Sequence, residues 1–194
     1  MKQQVNVNAL KANINRRGRV KFKYEIMKRN LNKLMPELPS KDECFKFISF
    51  SGGFASISFI EAVAAKEKIL ELTASTLRIG AKQFDILARL NAKGMLEKAT
   101  FFVGTLMRED EKRKQYNYYG RIFEKCRELD WRIHSTNNHS KIILMRTEEN
   151  YYVLETSSNL NENPKIEQFS IENNKGMYDF YYDFFALLGG GGDG

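Results

Sequence analysis

Three short runs of sequence decide the fold: NHSKIIL at residues 138–144, ETSSNL at residues 155–160 and IEQ at residues 166–168. The first run leads into an apolar strand-like segment, the second closes one, and the third begins one. His139 and Lys141 are two positions apart, so their side chains are expected on one face of the first strand.

Polar side chains with similar spacing follow on the other two runs. Ser157 and Asn159 are two positions apart at the end of the second strand, and Glu167 begins the third. If the three strands are neighbours, an imidazole, an ammonium, a hydroxyl, an amide and a carboxylate meet at one edge of a sheet. The residues themselves leave an alternative open, which is a lone histidine before a core strand with a polar turn after it.

This set of side chains suits phosphoryl transfer without a metal. A neutral imidazole can attack phosphorus as a nucleophile, and a carboxylate can fix the tautomer of that imidazole. Lysine and asparagine side chains can stabilise the charge on the non-bridging oxygens.

The order HxK, strand, loop, SxN and downstream Glu resembles the HKD motif of the phospholipase D superfamily. Its layout is similar to that of the small bacterial endonucleases that carry one motif per chain. The resemblance extends over about residues 45 to 188, within a domain that we place at residues 41 to 188. It implies an α/β fold, with a phospholipase D-like mixed sheet flanked by helices on both faces.

The resemblance also implies a role for each residue of the motif. His139 would be the nucleophile and would form a phosphohistidine intermediate. Lys141 and Asn159 would bind the phosphate, Ser157 would assist, and Glu167 would orient His139. Members of the superfamily use two motifs per site, with the second histidine acting as the acid. This chain carries one motif, so the second is expected from a twofold-related copy in a homodimer.

Two positions depart from the motif, and one assignment has a rival. The Asp expected five residues after the lysine is Arg146, and the Gly expected before SxN is Thr156. The spacing from Asn159 to Glu167 is short, so Glu162 is a weaker alternative for the orienting carboxylate. The two departures are the main support for an alternative function, a catalytically inactive nucleic-acid-binding protein that retains the fold.

Apolar periodicity predicts the remaining elements. Strands are predicted at residues 45–50, 69–73, 99–103, 131–134, 141–145, 151–155 and 166–171, and helices at residues 56–68, 81–92, 116–129 and 177–188. A charged loop is predicted at residues 108–114, and a flexible Gly-rich tail at residues 189–194. A short helix is predicted at residues 24–35, ended by Pro36 and Pro39.

The positive charge of the chain is concentrated at its N-terminus. The net charge is +7, and residues 1–35 carry ten Lys or Arg against one acid, Glu25. We interpret residues 1–22 as an extended or mobile basic arm, within an N-terminal region of residues 1–40. Such an arm indicates a polyanionic partner, with a solubilising tail or an anionic membrane surface as alternatives. Together with the resemblance, it predicts a nucleic-acid partner, DNA more than RNA. The candidate contact residues are Arg16, Arg17, Arg19, Lys21 and Lys23.

Composition argues against several other classes of protein. Cys44 and Cys126 are far apart and lack a CxxC partner, and the chain has only two histidines, so no metal or other cofactor is expected. No stretch approaches the length of an apolar membrane span, and no secretory signal is visible. The sequence therefore predicts a cytoplasmic protein with no membrane partner.

Overall fold

The computed structural model describes residues 19–25, 31, 35–49, 54–112, 118–161 and 165–190. These residues form eight strands and five helices. The strands are β1 Arg19–Glu25, β2 Glu43–Ser49, β3 Ile69–Thr76, β4 Leu96–Gly104, β5 Arg132–Thr136, β6 Ile142–Arg146, β7 Tyr151–Thr156 and β8 Glu167–Asn173. The helices are α1 Ser56–Ala64, α2 Ala81–Ala92, α3 Thr105–Lys112, α4 Tyr119–Glu128 and α5 Lys175–Gly190.

All eight strands belong to one mixed sheet, in the order β1-β2-β8-β7-β6-β3-β4-β5. Strands β2, β8, β7, β6 and β3 pair antiparallel in succession, whereas β1 joins β2, and β3, β4 and β5 join one another, in parallel. The end of β7 and the starts of β6 and β8 therefore lie at the same edge of the sheet, meaning the edge formed by strand ends and not an outermost strand.

Helices cover both faces of this sheet, which confirms the predicted fold class. Residues of α1, α2, α3 and α4 join one hydrophobic cluster with the strands, while α5 packs on the other face through Tyr178 and Phe185. Strand β6 shows why its sequence is a continuous apolar run: Ile143 and Met145 belong to the first cluster and Leu144 to the second. A strand buried on both faces has no polar side.

Two of the predicted irregular segments are wrong. The charged loop predicted at residues 108–114 begins inside a helix, α3, in which Met107 is buried in the core and Arg108 and Glu109 are exposed; residues 113–114 lie outside the described residues. The Gly-rich tail predicted at residues 189–194 is wrong at residues 189 and 190, since α5 continues to Gly190; residues 191–194 lie outside the described residues. A Cβ on Gly189 would lie 3.5 Å from both His134 Nε2 and Phe102 Cζ, so this helix end rests on the sheet.

The basic arm predicted at residues 1–22 is extended over its last part, as one of the two alternatives had it, but this part belongs to the sheet. Arg19–Glu25 is an edge strand that pairs in parallel with β2, so the helix predicted at residues 24–35 cannot begin at residue 24. The run RVKFKYE alternates charged with apolar or aromatic residues, which is the period of a strand. Residues 1–18 lie outside the described residues. In the described part of the chain, no helix is both long and apolar enough to span a bilayer.

Candidate active site

Backbone hydrogen bonds hold the three motif runs side by side. The N–H of Thr156 donates to the carbonyl oxygen of Lys141 at 3.2 Å, and the N–H of Ser157 donates to that of Gln168 at 3.1 Å. The HxK run thus borders the SxN run, which in turn borders the strand that begins with Glu167. The sheet brings the predicted site residues to one edge, as the spacing of the sequence indicated.

His139 and Lys141 contact each other at this edge. The ammonium nitrogen of Lys141 lies 3.4 Å from Nδ1 of His139 and donates to the backbone oxygen of His139 at 2.9 Å. His139 is exposed, so its ring is open to a ligand.

The charge of Lys141 is sensitive to its surroundings. Partial burial lowers the pKa of the Lys141 ammonium, and the negative charge of Glu167 acts in the opposite direction. A lysine with a lowered pKa and a carboxylate nearby is typical of functional sites, although structural ion pairs show it as well.

Glu167 is buried and holds Ser157. The hydroxyl of Ser157 donates to Oε2 of Glu167 and accepts a hydrogen bond from the backbone N–H of Gln168 at 3.0 Å. This contact fixes the serine at the start of the SxN loop. The role of Glu167 in orienting His139 stays a prediction, and its rival Glu162 lies outside the described residues.

The rest of the SxN loop is anchored to the neighbouring elements. The N–H of Leu160 donates to Thr76 Oγ1 at the end of β3 at 3.0 Å, and the hydroxyl of Ser56 donates to the carbonyl oxygen of Ser158 at 3.1 Å. Ser56 is the first residue of α1, so the positive end of this helix dipole lies beside the loop. Within the described residues, the buried Oδ1 of Asn159 has no hydrogen-bond partner.

The two residues that depart from the motif, Arg146 and Thr156, lie in different parts of the structure. Arg146 is the last residue of β6, about 17 Å along the strand from Lys141 at ~3.3 Å per residue, and pairs there with Glu71. Thr156 lies at the site, and its Oγ1 accepts a hydrogen bond from the N–H of Ser158 at 2.9 Å. The hydroxyl oxygen of Thr156 therefore accepts a hydrogen bond within the turn that contains Thr156 and Ser158.

The structure does not bring the candidate nucleic-acid-binding residues to this site. Arg16 and Arg17 lie outside the described residues, while Arg19, Lys21 and Lys23 occupy alternate positions of β1, the outermost strand. Strand β2 lies between β1 and β8, which begins with Glu167, and three strands lie between β1 and β6.

Asn138, which was not predicted from the sequence, precedes the nucleophile candidate and attaches its loop to β3 and β4. In the sequence, its role was indicated only by the presence of an amide side chain directly before the histidine. In the described ranges, no group of three or more His, Cys, Asp or Glu side chains could hold a metal ion.

No protein-family model matches the chain, and no curated protein matches its sequence. Solved structures do match. Polyphosphate kinase from Porphyromonas gingivalis aligns with a TM-score of 0.62 at 17% identity, over 87% of this chain and 30% of the kinase. Nuc from Salmonella typhimurium, a phospholipase D family member, aligns with a TM-score of 0.52 at 11% identity, over 74% of this chain and 93% of Nuc. The chain has a phospholipase D-like fold. It spans less than a third of the kinase and nearly the whole of Nuc.

Proposed function

We propose that this protein is a metal-independent phosphodiesterase, most specifically a nuclease, in which His139 forms a phosphohistidine intermediate. The observation that carries the proposal is the meeting of the HxK, SxN and Glu runs at one sheet edge. These side chains supply a nucleophile, two groups that bind a phosphate and a carboxylate, in a fold shared with a phospholipase D family member.

In the first step, a ring nitrogen of His139 attacks the phosphorus of a diester. A nitrogen–phosphorus bond forms, the bond from phosphorus to one ester oxygen breaks, and that oxygen takes a proton from an acid. Water then attacks the phosphorus and gives its proton to the group that had acted as the acid, while the nitrogen–phosphorus bond breaks, which releases a phosphate monoester and restores the imidazole.

The contact between Lys141 and His139 fits an unliganded form of this site. A bound phosphate draws the ammonium of Lys141 toward its oxygens, since a charged oxygen is a stronger acceptor than a neutral ring nitrogen or a carbonyl. Nδ1 of His139 is then released from the lysine. In this proposal Asn159 and the N-terminal end of α1, which borders the SxN loop through Ser56, add to the binding of the phosphate charge.

The acid in this scheme comes from a second copy of the chain. The only other histidine, His134, belongs to β5 and stacks on Phe102 with ring centroids 4.9 Å apart. A twofold axis through the site would bring a second His139 to the leaving oxygen, so the catalytic unit is a homodimer.

Nucleic acid is the substrate class that the charge distribution favours. The whole surplus of positive charge lies in residues 1–35, and neutralising phosphates with such a segment releases counterions. DNA is the preferred form in this proposal. The competing function, a non-catalytic nucleic-acid-binding protein, is supported by Thr156 more than by Arg146, because Arg146 lies at the far end of β6.

The experiment is a cleavage assay on single- and double-stranded DNA and RNA in the presence of EDTA. Cleavage should survive EDTA and be lost in His139→Ala. His134→Gln is the matched control, since it changes the other histidine of the chain and should retain cleavage. Binding without cleavage in all three proteins would favour the competing function.

A further inference from the structure

His139 lies in a loop between two strands, and few contacts of its own side chain hold it there. The loop joins β5 to β6, and His139 is exposed. Lys141, the residue whose ammonium contacts the ring, must itself be free to bind phosphate in the proposed reaction. The position of the nucleophile therefore depends on the residues that flank it.

The side chain of Asn138 makes two hydrogen bonds that attach this loop to the sheet and two that hold Ser140 within the loop. Its Nδ2 donates to Ser75 Oγ at 2.8 Å and to the carbonyl oxygen of Phe102 at 2.9 Å. Its Oδ1 accepts from the N–H of Ser140 at 2.9 Å and from the hydroxyl of Ser140 at 2.8 Å. An amide has two donors and two acceptor positions, and all four are used here.

The hydroxyls close these contacts into a ring. Ser140 uses its hydroxyl hydrogen on Asn138, so Ser75 donates across the 2.5 Å contact between the two serine oxygens. The order of donation is then Asn138 to Ser75, Ser75 to Ser140 and Ser140 to Asn138. Hydrogen bonds in such a ring strengthen one another, and the ring admits one orientation of the amide.

The backbone at Asn138 also lies close to the end of β4. A Cβ on Gly104 at the end of β4 would lie 3.0 Å from the carbonyl oxygen of Asn138, and 2.6 Å from Leu77 Cδ1. Only a glycine leaves the loop this close to the sheet. The residues before and after His139 are thus both held, at Asn138 and at Ser140.

We propose that Asn138 is a positioning residue that fixes the backbone of His139 against the ends of β3 and β4. The role in catalysis rests on the proposed function, whereas the fixing of the loop does not. A displacement of the nucleophile by about 1 Å can lower a rate by about 10²-fold, so the loss of this anchor should reduce kcat rather than substrate binding.

The chain offers a matched control at the opposite end of the sheet. Asn150 lies in the turn between β6 and β7, donates through Nδ2 to both carboxylate oxygens of Glu67 at 3.2 and 3.0 Å, and accepts at Oδ1 from Asn173 at 2.8 Å. Asn150→Ala removes a comparable set of hydrogen bonds far from His139. It therefore measures the effect of lost stability alone.

The test compares the full-length wild type, Asn138→Ala and Asn150→Ala by two measurements. The first is the backbone order parameter of His139 and Ser140 from NMR relaxation, which should fall from about 0.85 to below about 0.6 in Asn138→Ala alone. The second is metal-free cleavage, in which kcat should fall about 10²-fold in Asn138→Ala, with KM changed less than about twofold. Asn150→Ala should keep both values.

Two results would overturn the proposal: unchanged order at His139 in Asn138→Ala, or the same loss of kcat in Asn150→Ala. If the wild type cleaves no diester, the proposed function fails instead. The order parameters alone then decide whether Asn138 fixes His139.

Discussion

Arg146 Nε on β6 lies 3.3 Å from Glu71 Oε2 on β3, at the end of the sheet opposite to His139. The other oxygen of Glu71 accepts a hydrogen bond from the hydroxyl of Tyr182 on α5 at 3.2 Å. The arginine that replaces the expected motif Asp therefore has a partner of opposite charge on the neighbouring strand. The position at which Arg146 replaces the expected Asp therefore lies at the end of the sheet away from the candidate site.

Removing Arg146 should affect stability slightly and cleavage hardly at all. The pair is partly exposed, so Arg146→Ala should lower the free energy of unfolding by at most about 1 kcal/mol. Arg146→Asp, which restores the motif residue, should destabilise the protein more, because it places a carboxylate opposite Glu71. Urea unfolding and the cleavage rate measure the two effects. Loss of cleavage in a fully folded Arg146→Ala would assign this residue to the site after all.

The pH dependence of cleavage should report Lys141. Burial lowers the pKa of its ammonium, so the charged form that binds phosphate is lost at a lower pH than for an exposed lysine. The alkaline limb of kcat/KM should therefore lie below the ordinary lysine range. Glu167→Gln removes a charge that raises the pKa of Lys141, and should move this limb to still lower pH.

A chromogenic diester substrate suits this measurement, because it has no nucleobase whose own titration would change the pH profile of kcat/KM. Ser157→Ala is the control, since it removes the hydroxyl that bonds Glu167 and leaves the carboxylate charge in place. An alkaline limb that shifts equally in both variants would show that the Glu167 charge is not the cause.

Residues 1–18 should contribute to the affinity for DNA and to its salt dependence. This segment contains Lys2, Lys11, Arg16 and Arg17, and its removal leaves β1 intact. Its deletion should lower the slope of log Kd against log salt by up to about 4. Binding is measured in the His139→Ala background to prevent cleavage. Replacing the four basic residues with Gln at full length should give the same change, and an unchanged slope would exclude the segment as a phosphate contact.

Mixed dimers should show whether one site uses two copies of His139. If it does, activity falls with the square of the wild-type fraction when wild type and His139→Ala chains are mixed at random. An equal mixture then keeps about a quarter of the activity, against about half if each chain works alone. A linear decline, or a monomer in sedimentation, would rule out the shared site.

Much of the site could be predicted because its residues are close together in the sequence. His139 and Lys141 precede one apolar strand, and Ser157 and Asn159 follow its hairpin partner, so local spacing places them at the same end of two adjacent strands. Asn138 could not be assigned in this way. Its partner Ser75 is 63 positions away, and a contact of that separation depends on the strand order.

The errors in the fold have a common cause, which is that charge concealed the apolar pattern. In β1 the lysines and arginines suggested an extended or mobile arm, although apolar and aromatic residues alternate with them. In α3 a cluster of charged residues concealed Met107, which is buried in the core. In both segments the overall composition hid the spacing of the apolar residues.

The most direct measurement is the trapping of a covalent intermediate on His139. The protein is mixed with a phosphodiester substrate, quenched in alkali to preserve phosphoramidate bonds, digested and analysed by mass spectrometry. The expected adduct on the peptide that contains His139 is the substrate phosphate with its remaining ester group, formed in EDTA and absent in His139→Ala. Turnover of the substrate with phosphate on no histidine, or on His134, would contradict this mechanism.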